Sequence, residues 1–502
     1  MHLEERDAAE KVWNTKFRKE GQYVQRIASG DKLVIAQSGY HSTQTEVHPV
    51  QVPAAAYYGA QTMRAVGNFP ISGLRAHPEL ITATVQIKKA AARANAHLGR
   101  LDPSLAHAIV QAADEVLAGA LRDQFVVDVY QAGAGTSHNM NTNEVLANRA
   151  AECLGEPRGL YRRIHPNDHV NMGQSTNDVF PTATRVALLM TVAPLTEQAR
   201  ALAEAFARQA DHARDVVKTG RTHLQDAVPM TFGQEFDGYA ACLQRGADSV
   251  VAAAEQLLEL NLGATAVGTG LNAGDDYRRL AIDYLAQQTG LPVTPAINLF
   301  RVTQSMGDVL SASGAVRRLA VEVGKIANDL RLLSSGPRAG LAEVTLPAVQ
   351  PGSSIMPGKV NPSIPEMVNQ VCFQVMGCDT TVAMACEAGQ LELNVMMPVI
   401  AWNALHATTI LREALRALRI RCVEGLEVDA ERARVLLDRS TATATALSPF
   451  IGYEATAAVA QEAVRSGRLI RDLVVERGLL DRDRLDQILS VEAMTRPGIR
   501  GH

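Results

Sequence analysis

The stretch that decides the fold is residues 316–337, with the sequence VRRLAVEVGKIANDLRLLSSGP. Its apolar residues are spaced three, four, three, four and three positions apart, at Val316, Leu319, Val323, Ile326, Leu330 and Leu333. This spacing puts them along one face of a long helix that packs against other helices. The helix-stop sequence SSGP at 334–337 predicts that the helix ends there.

Further helical patterns extend on both sides of this stretch, over about 185–217, 231–259 and 363–418. Several long helices with apolar faces predict an all-α fold built on a long helix bundle. The apolar face at 316–333 can be covered by the chain's own core or by a partner subunit, and the sequence leaves both open.

The pattern changes along the chain and predicts four parts. Residues 1–50 form an atypical N-terminal extension, and 51–176 an N-terminal helical domain. Residues 177–431 form the central long-helix bundle, which includes a catalytic flap at 350–362. Residues 432–502 form a small C-terminal helical domain, with turns near Gly452, Gly467 and Gly478.

Composition excludes several classes of protein. Hydrophobic residues make up 47% of the 502 residues and aromatics only 4%, which favours packed helices over aromatic-rich sandwiches. A net charge of -4 gives no basic excess for nucleic acid or an anionic membrane. The six cysteines form no close pairs and lack zinc-ligand spacing, which predicts reduced thiols. With no secretory signal and no membrane span in the sequence, we expect a cytoplasmic protein.

Four segments interrupt the helical pattern and are rich in small polar side chains. They are GAGTSHNMN at 133–141, HPNDHVN at 165–171 with QSTND at 174–178, GRTHLQD at 220–226, and GSSIMPGKVNP at 352–362. Hydroxyls, amides, backbone N–H groups and cations are the groups that hold small carboxylates. Loops that lead into helices can present all of them, because the unpaired N–H groups of a helix start point outward.

Two of these segments have the strongest local signals. Ser175, Thr176 and Asn177 precede an apolar helix and predict its start, although an N-cap box alone would give the same pattern. In the segment 352–362, two glycines flank a hydroxyl pair that is followed by a lysine. Such a loop could close over a bound anion and exclude water, whereas an ordinary surface turn is the alternative.

Histidines are candidates for catalysis but not for metal binding. His223 is functional if a carboxylate raises its basicity and fixes its tautomer, and Glu366 is the candidate partner. His165 and His169 are four residues apart, but the residues between them predict a loop and not a metal-binding helix face. We therefore expect no metal site.

The four segments, in this order, resemble the fumarase/aspartase superfamily, whose signature is similar to Gly352–Pro362. The resemblance runs from about Pro53 to the C-terminus. It implies three helical domains around a central bundle and a homotetramer with a twenty-helix core. Each active site would take loops from three subunits. The implied activity is a lyase reaction on a small dicarboxylate, without a cofactor.

Within the superfamily, three segments resemble the aspartases, which convert L-aspartate into fumarate and ammonia. They are DQF at 123–125 with VDVYQ at 127–131, GTS at 135–137 and EAGQL at 387–391. His165, His223 and the signature are shared with class II fumarases, which convert malate into fumarate and water, so that reaction is the alternative. A non-catalytic relative, as among lens crystallins, would be expected to lose site residues that are present in this chain.

The resemblance also implies a role for each site residue. The family base corresponds to Ser353, whose alkoxide form Lys359 and backbone N–H groups could stabilise. Proton removal leaves extra charge on the distal carboxylate, so electrostatic stabilisation should dominate. The candidates to hold that carboxylate are Thr136, Ser175, Thr176 and Ser354, and those for the other carboxylate are Lys359, Asn361 and Thr222. His223, backed by Glu366, would help to bind substrate, and Asn177 would contact the amino group.

Overall fold

The structure is a computed structural model that describes the backbone of Val34–Ile35 and residues 50–498. Helices dominate it, and the predicted all-α class is confirmed. The predicted extension at 1–50 lies outside the described residues, apart from Val34–Ile35 and Val50.

The α-helices of the described residues are numbered in chain order. They are α1 Ala60–Asn68, α2 Pro78–His97, α3 Pro103–Leu117, α4 Thr136–Cys153, α5 Thr176–His212, α6 Phe232–Ala254, α7 Asp275–Thr289, α8 Leu299–Gln304, α9 Gly307–Leu333, α10 Ser363–Glu387, α11 Met397–Arg421, α12 Ala430–Arg439, α13 Ala444–Ile451, α14 Tyr453–Ser466, α15 Ile470–Glu476, α16 Arg482–Ile488 and α17 Val491–Thr495. Short 3₁₀ turns lie at Arg122–Gln124, Gly133–Gly135, Glu255–Leu258 and Val423–Gly425.

The strands are short and form two-stranded pairs. Val34–Ile35 pairs with Val50–Gln51, Val217–Thr222 with Gln225–Thr231, and Val344–Thr345 with Glu427–Val428, all antiparallel, while Glu259–Leu260 pairs in parallel with Thr294–Pro295. The pair Val217–Thr222 and Gln225–Thr231 forms a hairpin, where the sequence pattern had indicated only a break between helices.

Helix α9 contains the stretch from which the fold was predicted, and it ends at Leu333 as expected. None of the six apolar residues on its face is more than 5% exposed. The Tyr239 hydroxyl of α6 donates to Asp329 Oδ2 at 2.7 Å, and the Asn369 amide of α10 donates to the Gly324 carbonyl at 3.0 Å. The face is therefore covered inside the chain.

The other helical patterns are confirmed with one difference. The pattern over 363–418 is two helices, α10 and α11, with residues 388–396 between them. The predicted C-terminal helices are present, with positive φ at Gly452, Gly467 and Gly478 in the turns. All six cysteines are free, as predicted.

The chain divides into two compact units. Among the described residues, the first comprises those up to Ala193, Ala252–Gly314 and Gly377–Ala407, and the second comprises Pro194–Val251, Ala315–Met376 and those from Thr408. Residues of α2, α3 and α4 form a large core in the first unit, and those of α13 to α16 form a small core in the second. The four-part division drawn from the sequence stays a prediction.

Helix α5 is long and apolar enough to cross a membrane by length and composition. However, 78% of its most apolar window is buried inside the protein, which is typical of a core helix in a soluble protein.

Candidate active site

Helix α4 begins at Thr136, directly after the tight turn Gly133–Gly135. Gly135 has a φ of 83°, and a Cβ atom there would lie 2.1 Å from Cδ2 of Phe180 in α5. Only glycine fits this conformation and this contact. The turn leaves Thr136 exposed at the helix start, where its hydroxyl donates to the Gly133 carbonyl at 3.3 Å.

Helix α5 begins at Thr176 with the capping arrangement that its sequence predicts. The Ser175 hydroxyl accepts from the Asn177 N–H at 3.2 Å, and Asp178 Oδ1 accepts from the Ser175 N–H at 2.9 Å. These bonds fix the first turn. The Asn177 amide donates to the Ala266 carbonyl at 2.9 Å, which leaves its oxygen for a ligand.

A buried asparagine joins the first two polar segments. Asn139 of α4 is 2% exposed, and its Nδ2 donates to Thr176 Oγ1 and to Asn171 Oδ1, each at 3.2 Å. The structure therefore brings the start of α4 and the start of α5 together in the first unit, as the predicted shared site requires.

Two fully buried charged groups lie behind this pair of helix starts. Lys88 of α2 donates from Nζ to Asn171 Oδ1 at 2.8 Å and to Gln174 Oε1 at 2.9 Å. Asp178 Oδ2 accepts from the N–H groups of Gly263 and Thr265 at 3.0 and 2.9 Å. Burial lowers the pKa of the Lys88 ammonium to about 7 and raises the pKa of the Asp178 carboxyl to about 7. The opposite charge of each group partly offsets the pKa shift that burial gives to the other.

In the second unit, Thr222 and Gln225 pair across the hairpin, so His223 and Leu224 form its two-residue turn. Their φ values are 55° and 58°, the left-handed conformation that such a turn requires and that Asn-Gly normally adopts. For other residues this conformation costs roughly 1–2 kcal/mol each. The strained turn exposes His223 and Leu224, and Leu224 is 71% exposed.

Ion pairs anchor the base of the hairpin. Arg221 donates from both terminal nitrogens to the fully buried Glu343, at 2.7 and 3.3 Å. Lys218 Nζ donates to Glu235 Oε2 at 2.7 Å. Such bidentate and enclosed pairs fix geometry, so the tip extends from a rigid base.

The segment 350–362 forms a loop that is closed at its neck. A Cβ atom on Gly352 would lie 1.4 Å from the Lys359 carbonyl oxygen, so only glycine allows the two backbones to touch. The Asn361 amide donates to the Gly352 carbonyl at 3.2 Å across the same neck. Lys359 Nζ donates to Asn361 Oδ1 at 2.5 Å, so the two residues predicted to hold one carboxylate lie together.

Ser353 lies at the start of this loop, and its surroundings bear on the predicted role as a base. Its Oγ accepts from the N–H groups of Ile355 and Met356 at 3.3 and 3.1 Å. Two N–H donors aimed at one oxygen favour its anionic form. Within the described residues, the hydrogen bond of Lys359 goes to Asn361 and not to Ser353. Ser354, next along the loop, is exposed.

Glu366 lies in the first turn of α10 and is half-buried. Within the described part of the chain, no hydrogen bond or ion pair joins Glu366 to His223. The predicted partnership stays a prediction.

The candidate residues divide between the two units. The first unit holds Thr136, Ser175, Thr176 and Asn177. The second holds Thr222, His223, Ser353, Ser354, Lys359, Asn361 and Glu366. Within each unit, neighbouring candidates share hydrogen bonds or adjoining turns.

Sequence reasoning missed Lys88, although a signal was present. Lys88 lies in helical phase with the buried Ile81, Val85 and Ala92, so a charged residue interrupts an apolar face. A lysine in that position is rare without a function or a partner. The sequence pattern also gave no separate role to Asn139, which lies within the segment 133–141.

The described residues contain no group of three or more histidine, cysteine, aspartate or glutamate side chains that could hold a metal ion. His165 directly precedes a π-helical turn, Pro166–Val170, which contains His169 and lies where a loop was predicted. The His165 N–H donates to His169 Nδ1 at 2.8 Å, which occupies that ring nitrogen.

Comparison with known proteins defines the class. Residues 48–377 match the family described as Lyase, and residues 444–496 match the family described as Fumarase C C-terminus. The first match covers more than half of the chain, and the chain belongs to this lyase family.

Individual proteins that are similar to this chain include curated enzymes and solved structures. The chain is 48% identical over 469 residues to the aspartate ammonia-lyase of Bacillus subtilis, covering 93% of this chain and 99% of that protein. It is 49% identical over 453 residues to that of Escherichia coli, covering 90% and 95%. Among solved structures, a fumarate lyase:delta crystallin from Brucella melitensis bound to cobalt is 48% identical with a TM-score of 0.87, covering 90% and 99%. A class II fumarase from Schistosoma mansoni is 37% identical, also with a TM-score of 0.87, covering 92% and 99%.

Proposed function

We propose that this protein is an aspartate ammonia-lyase, which eliminates ammonia from L-aspartate to give fumarate in a reversible anti elimination. It is a carbon–nitrogen lyase. The observation that carries this is the identity of 48–49% to relatives of that activity, over about nine-tenths of the chain. The class II fumarase shares the fold with a TM-score of 0.87 but is only 37% identical to this chain, so the higher sequence identity to the aspartate ammonia-lyases favours their reaction.

The flap supports Ser353 as the base. A serine hydroxyl is a weak base at its ordinary pKa, so its alkoxide must be stabilised for it to take a proton from carbon. The N–H groups of Ile355 and Met356 already point at its oxygen. Lys359 uses one of its three N–H groups on Asn361 and would bind a substrate carboxylate with the others, together with Asn361 and Thr222.

The helix starts of the first unit would hold the distal carboxylate, where charge builds up as the proton leaves. Thr136, Ser175 and Thr176 lie at two helix N-termini, whose N–H groups favour an anion. Ser354 would approach from the flap. Preorganised donors of this kind stabilise the developing dianionic group without rearranging.

The amino group would meet the amide oxygen of Asn177, whose nitrogen already donates to the Ala266 carbonyl. An amide oxygen accepts from an ammonium group. His223, with Glu366, would contribute to substrate binding. We assign no general acid to the departing ammonia.

We further propose a homotetramer, with a twenty-helix core and active sites built from three subunits, in the cytoplasm. Support comes from apolar side chains that one chain leaves in solvent on its long helices. Val321 of α9 is 49% exposed, and Phe373 and Met384 of α10 are 63% and 69% exposed. Exposed apolar residues on core helices are typical of subunit interfaces. The partners that the proposal implies are a small dicarboxylate and copies of the same chain, without nucleic acid or membrane.

The test is a spectrophotometric assay at the absorbance of fumarate, with L-aspartate and with malate as separate substrates. We expect fumarate from aspartate, and aspartate from fumarate with ammonium in the reverse direction. Fumarate from malate alone would replace the proposal with the fumarase reaction.

A further inference from the structure

We infer that Lys88 is a positioning residue of the substrate site, whose enclosed ammonium holds residues 171–176 so that the Thr176 hydroxyl donates to a substrate carboxylate. The inference rests on the proposed function, in which Thr176 binds the distal carboxylate of a dicarboxylate. It adds a second cation, after Lys359, to the candidate residues of this site.

Lys88 is 0% exposed, yet its charge has little direct compensation. Nζ donates to two neutral amide oxygens, those of Asn171 and Gln174. Within the described residues, no carboxylate oxygen lies within the 4.0 Å of an ion pair with Nζ. A buried ammonium in such surroundings is unfavourable in the empty protein, and a bound dianion would offset that.

Hydrogen bonds lead from Lys88 to Thr176 in three steps. Asn171 Oδ1 accepts from Lys88 Nζ at 2.8 Å and from Asn139 Nδ2 at 3.2 Å. Asn139 Nδ2 also donates to Thr176 Oγ1 at 3.2 Å. A hydroxyl that accepts on one side keeps its hydrogen for another partner. The Thr176 hydrogen has no acceptor among the described residues, which leaves it for a carboxylate.

Three further titratable groups bear on the charge of Lys88: Asp178 and His138 interact with it directly, and Tyr277 interacts with Asp178. Asp178 of α5 attracts its charge and is held by three backbone N–H groups. His138 of α4 is buried, and its pKa is lowered to about 4, so the imidazole is neutral at physiological pH. Tyr277 of α7 is fully buried, and burial and Asp178 raise its pKa, so the phenol stays neutral. Lys88 is thus the cation of this enclosed group.

The experiment is calorimetric titration of the purified full-length protein with succinate, a dicarboxylate without a leaving group. We expect Lys88→Met, which keeps the length and removes the charge, to weaken binding about tenfold or more. Lys88→Arg should stay within about threefold of the wild type at pH 6.5, because the charge and donors persist. Ile87→Val is the matched control on the same helix, since Ile87 is also 0% exposed but apolar, and it should leave affinity unchanged.

A second readout separates this role from simple packing. Succinate affinity of the wild type should fall between pH 6.5 and 8.5, because a dianion favours the protonated ammonium. In Lys88→Arg that fall should be smaller, since arginine stays charged. If Lys88 had only a packing role, succinate affinity would change with pH in the same way in the wild type and in Lys88→Arg. Equal affinity of Lys88→Met and wild type at both pH values overturns the inference.

Asn139→Leu keeps the test decisive if Lys88→Met does not fold by circular dichroism. This nearly isosteric change removes the link between Asn171 and Thr176, and it should also weaken succinate binding. Unchanged affinity in a folded Asn139→Leu protein overturns the inference. If the wild type binds succinate but makes no fumarate from aspartate, only the proposed function fails. If the wild type makes fumarate from aspartate but Lys88→Met binds succinate as the wild type does, only the inference fails.

Discussion

Unlike an ordinary surface serine, Ser353 has a side-chain oxygen that accepts hydrogen bonds from backbone N–H groups of its own loop. Its Oγ accepts two N–H groups from the next turn of the loop. A neutral hydroxyl needs only one such bond, whereas an alkoxide gains from each of them. The local geometry therefore provides a reason for a serine to act as a base without a neighbouring histidine.

Ser353→Ala tests this reading of the loop. We expect turnover to fall by about 10³-fold or more, because general-base catalysis contributes on that order and no neighbour can replace the oxygen. Steady-state assay with aspartate measures it, together with size-exclusion chromatography of the variant. Ser466→Ala, on the C-terminal helix α14, is a serine control that should keep full activity. A Ser353→Ala enzyme with most of its turnover would remove Ser353 from the role.

His138 gives a prediction about acid stability. Burial lowers its pKa from 6.5 to about 4 in the folded protein. The folded chain therefore takes up the proton less readily than the unfolded chain. The stabilisation is fully present above the unfolded pKa of about 6.5 and is lost as pH falls toward 4, by about 3 kcal/mol.

His138→Leu should remove part of this acid sensitivity. We expect the fall in melting temperature between pH 7.5 and 5 to be smaller in the variant than in the wild type. His107→Gln is the control, since His107 is exposed to solvent on α3 and meets water in both states. An identical fall in wild type and His138→Leu would contradict the assignment.

Helices could be predicted because their signal is local. The face of α9 repeats every three and four residues, and the stop sequence follows directly. The start of α5 is also encoded locally, in Ser175 and Asp178. Lys88 could not be assigned a role in the same way, since its partners lie 83 and 86 residues away and only folding brings them to it.

The hairpin was missed for a physical reason as well. Its first strand, VKTGRT at 217–222, lacks the strict alternation of a half-buried strand. Its turn, His223-Leu224, lacks the Asn-Gly that announces a two-residue connection. The first strand is instead anchored by the ion pair between Arg221 and Glu343, which are 122 residues apart in the sequence.

Leu224→Gly should stabilise the protein. Leu224 is 71% exposed with φ at 58°, so the change loses little burial and relieves the left-handed strain. Glycine's extra freedom in the unfolded chain reduces the gain, to about 0.5–1 kcal/mol. Leu271→Gly is the control, because Leu271 is 72% exposed and has an ordinary φ, and it should destabilise. Thermal unfolding measures both, and a lower melting temperature for Leu224→Gly would refute the strain.

The whole molecule separates its candidate residues into two groups. Four lie in one compact unit and seven in the other, and His223 makes no hydrogen bond to Glu366 in the described chain. Sequence could supply the list of residues, because each lies in a recognisable segment. It could not supply their arrangement in space, which depends on packing between distant elements and, in our proposal, between subunits.

Mixing two inactive variants tests whether sites are shared. Purified Ser353→Ala and His223→Asn proteins, dissociated together and reassembled, should recover activity. Random assortment of equal amounts makes about one quarter of the sites complete, if the two residues come from different subunits. The same variants mixed without dissociation are the control. No recovery from reassembled, correctly sized oligomers would mean that each site lies within one chain.

The contact between Gly352 and the Lys359 carbonyl has a mechanical consequence. Since the two ends of residues 353–358 already touch, the entropy of joining them is lost once, during folding, and not in each catalytic cycle. Residues 353–358 can therefore move as one rigid body about this neck. The Ser353 oxygen would keep its two N–H donors during such a movement. Any side chain at position 352 would push the two backbones of the neck apart. The Ser353 oxygen would then no longer move together with the rest of the loop.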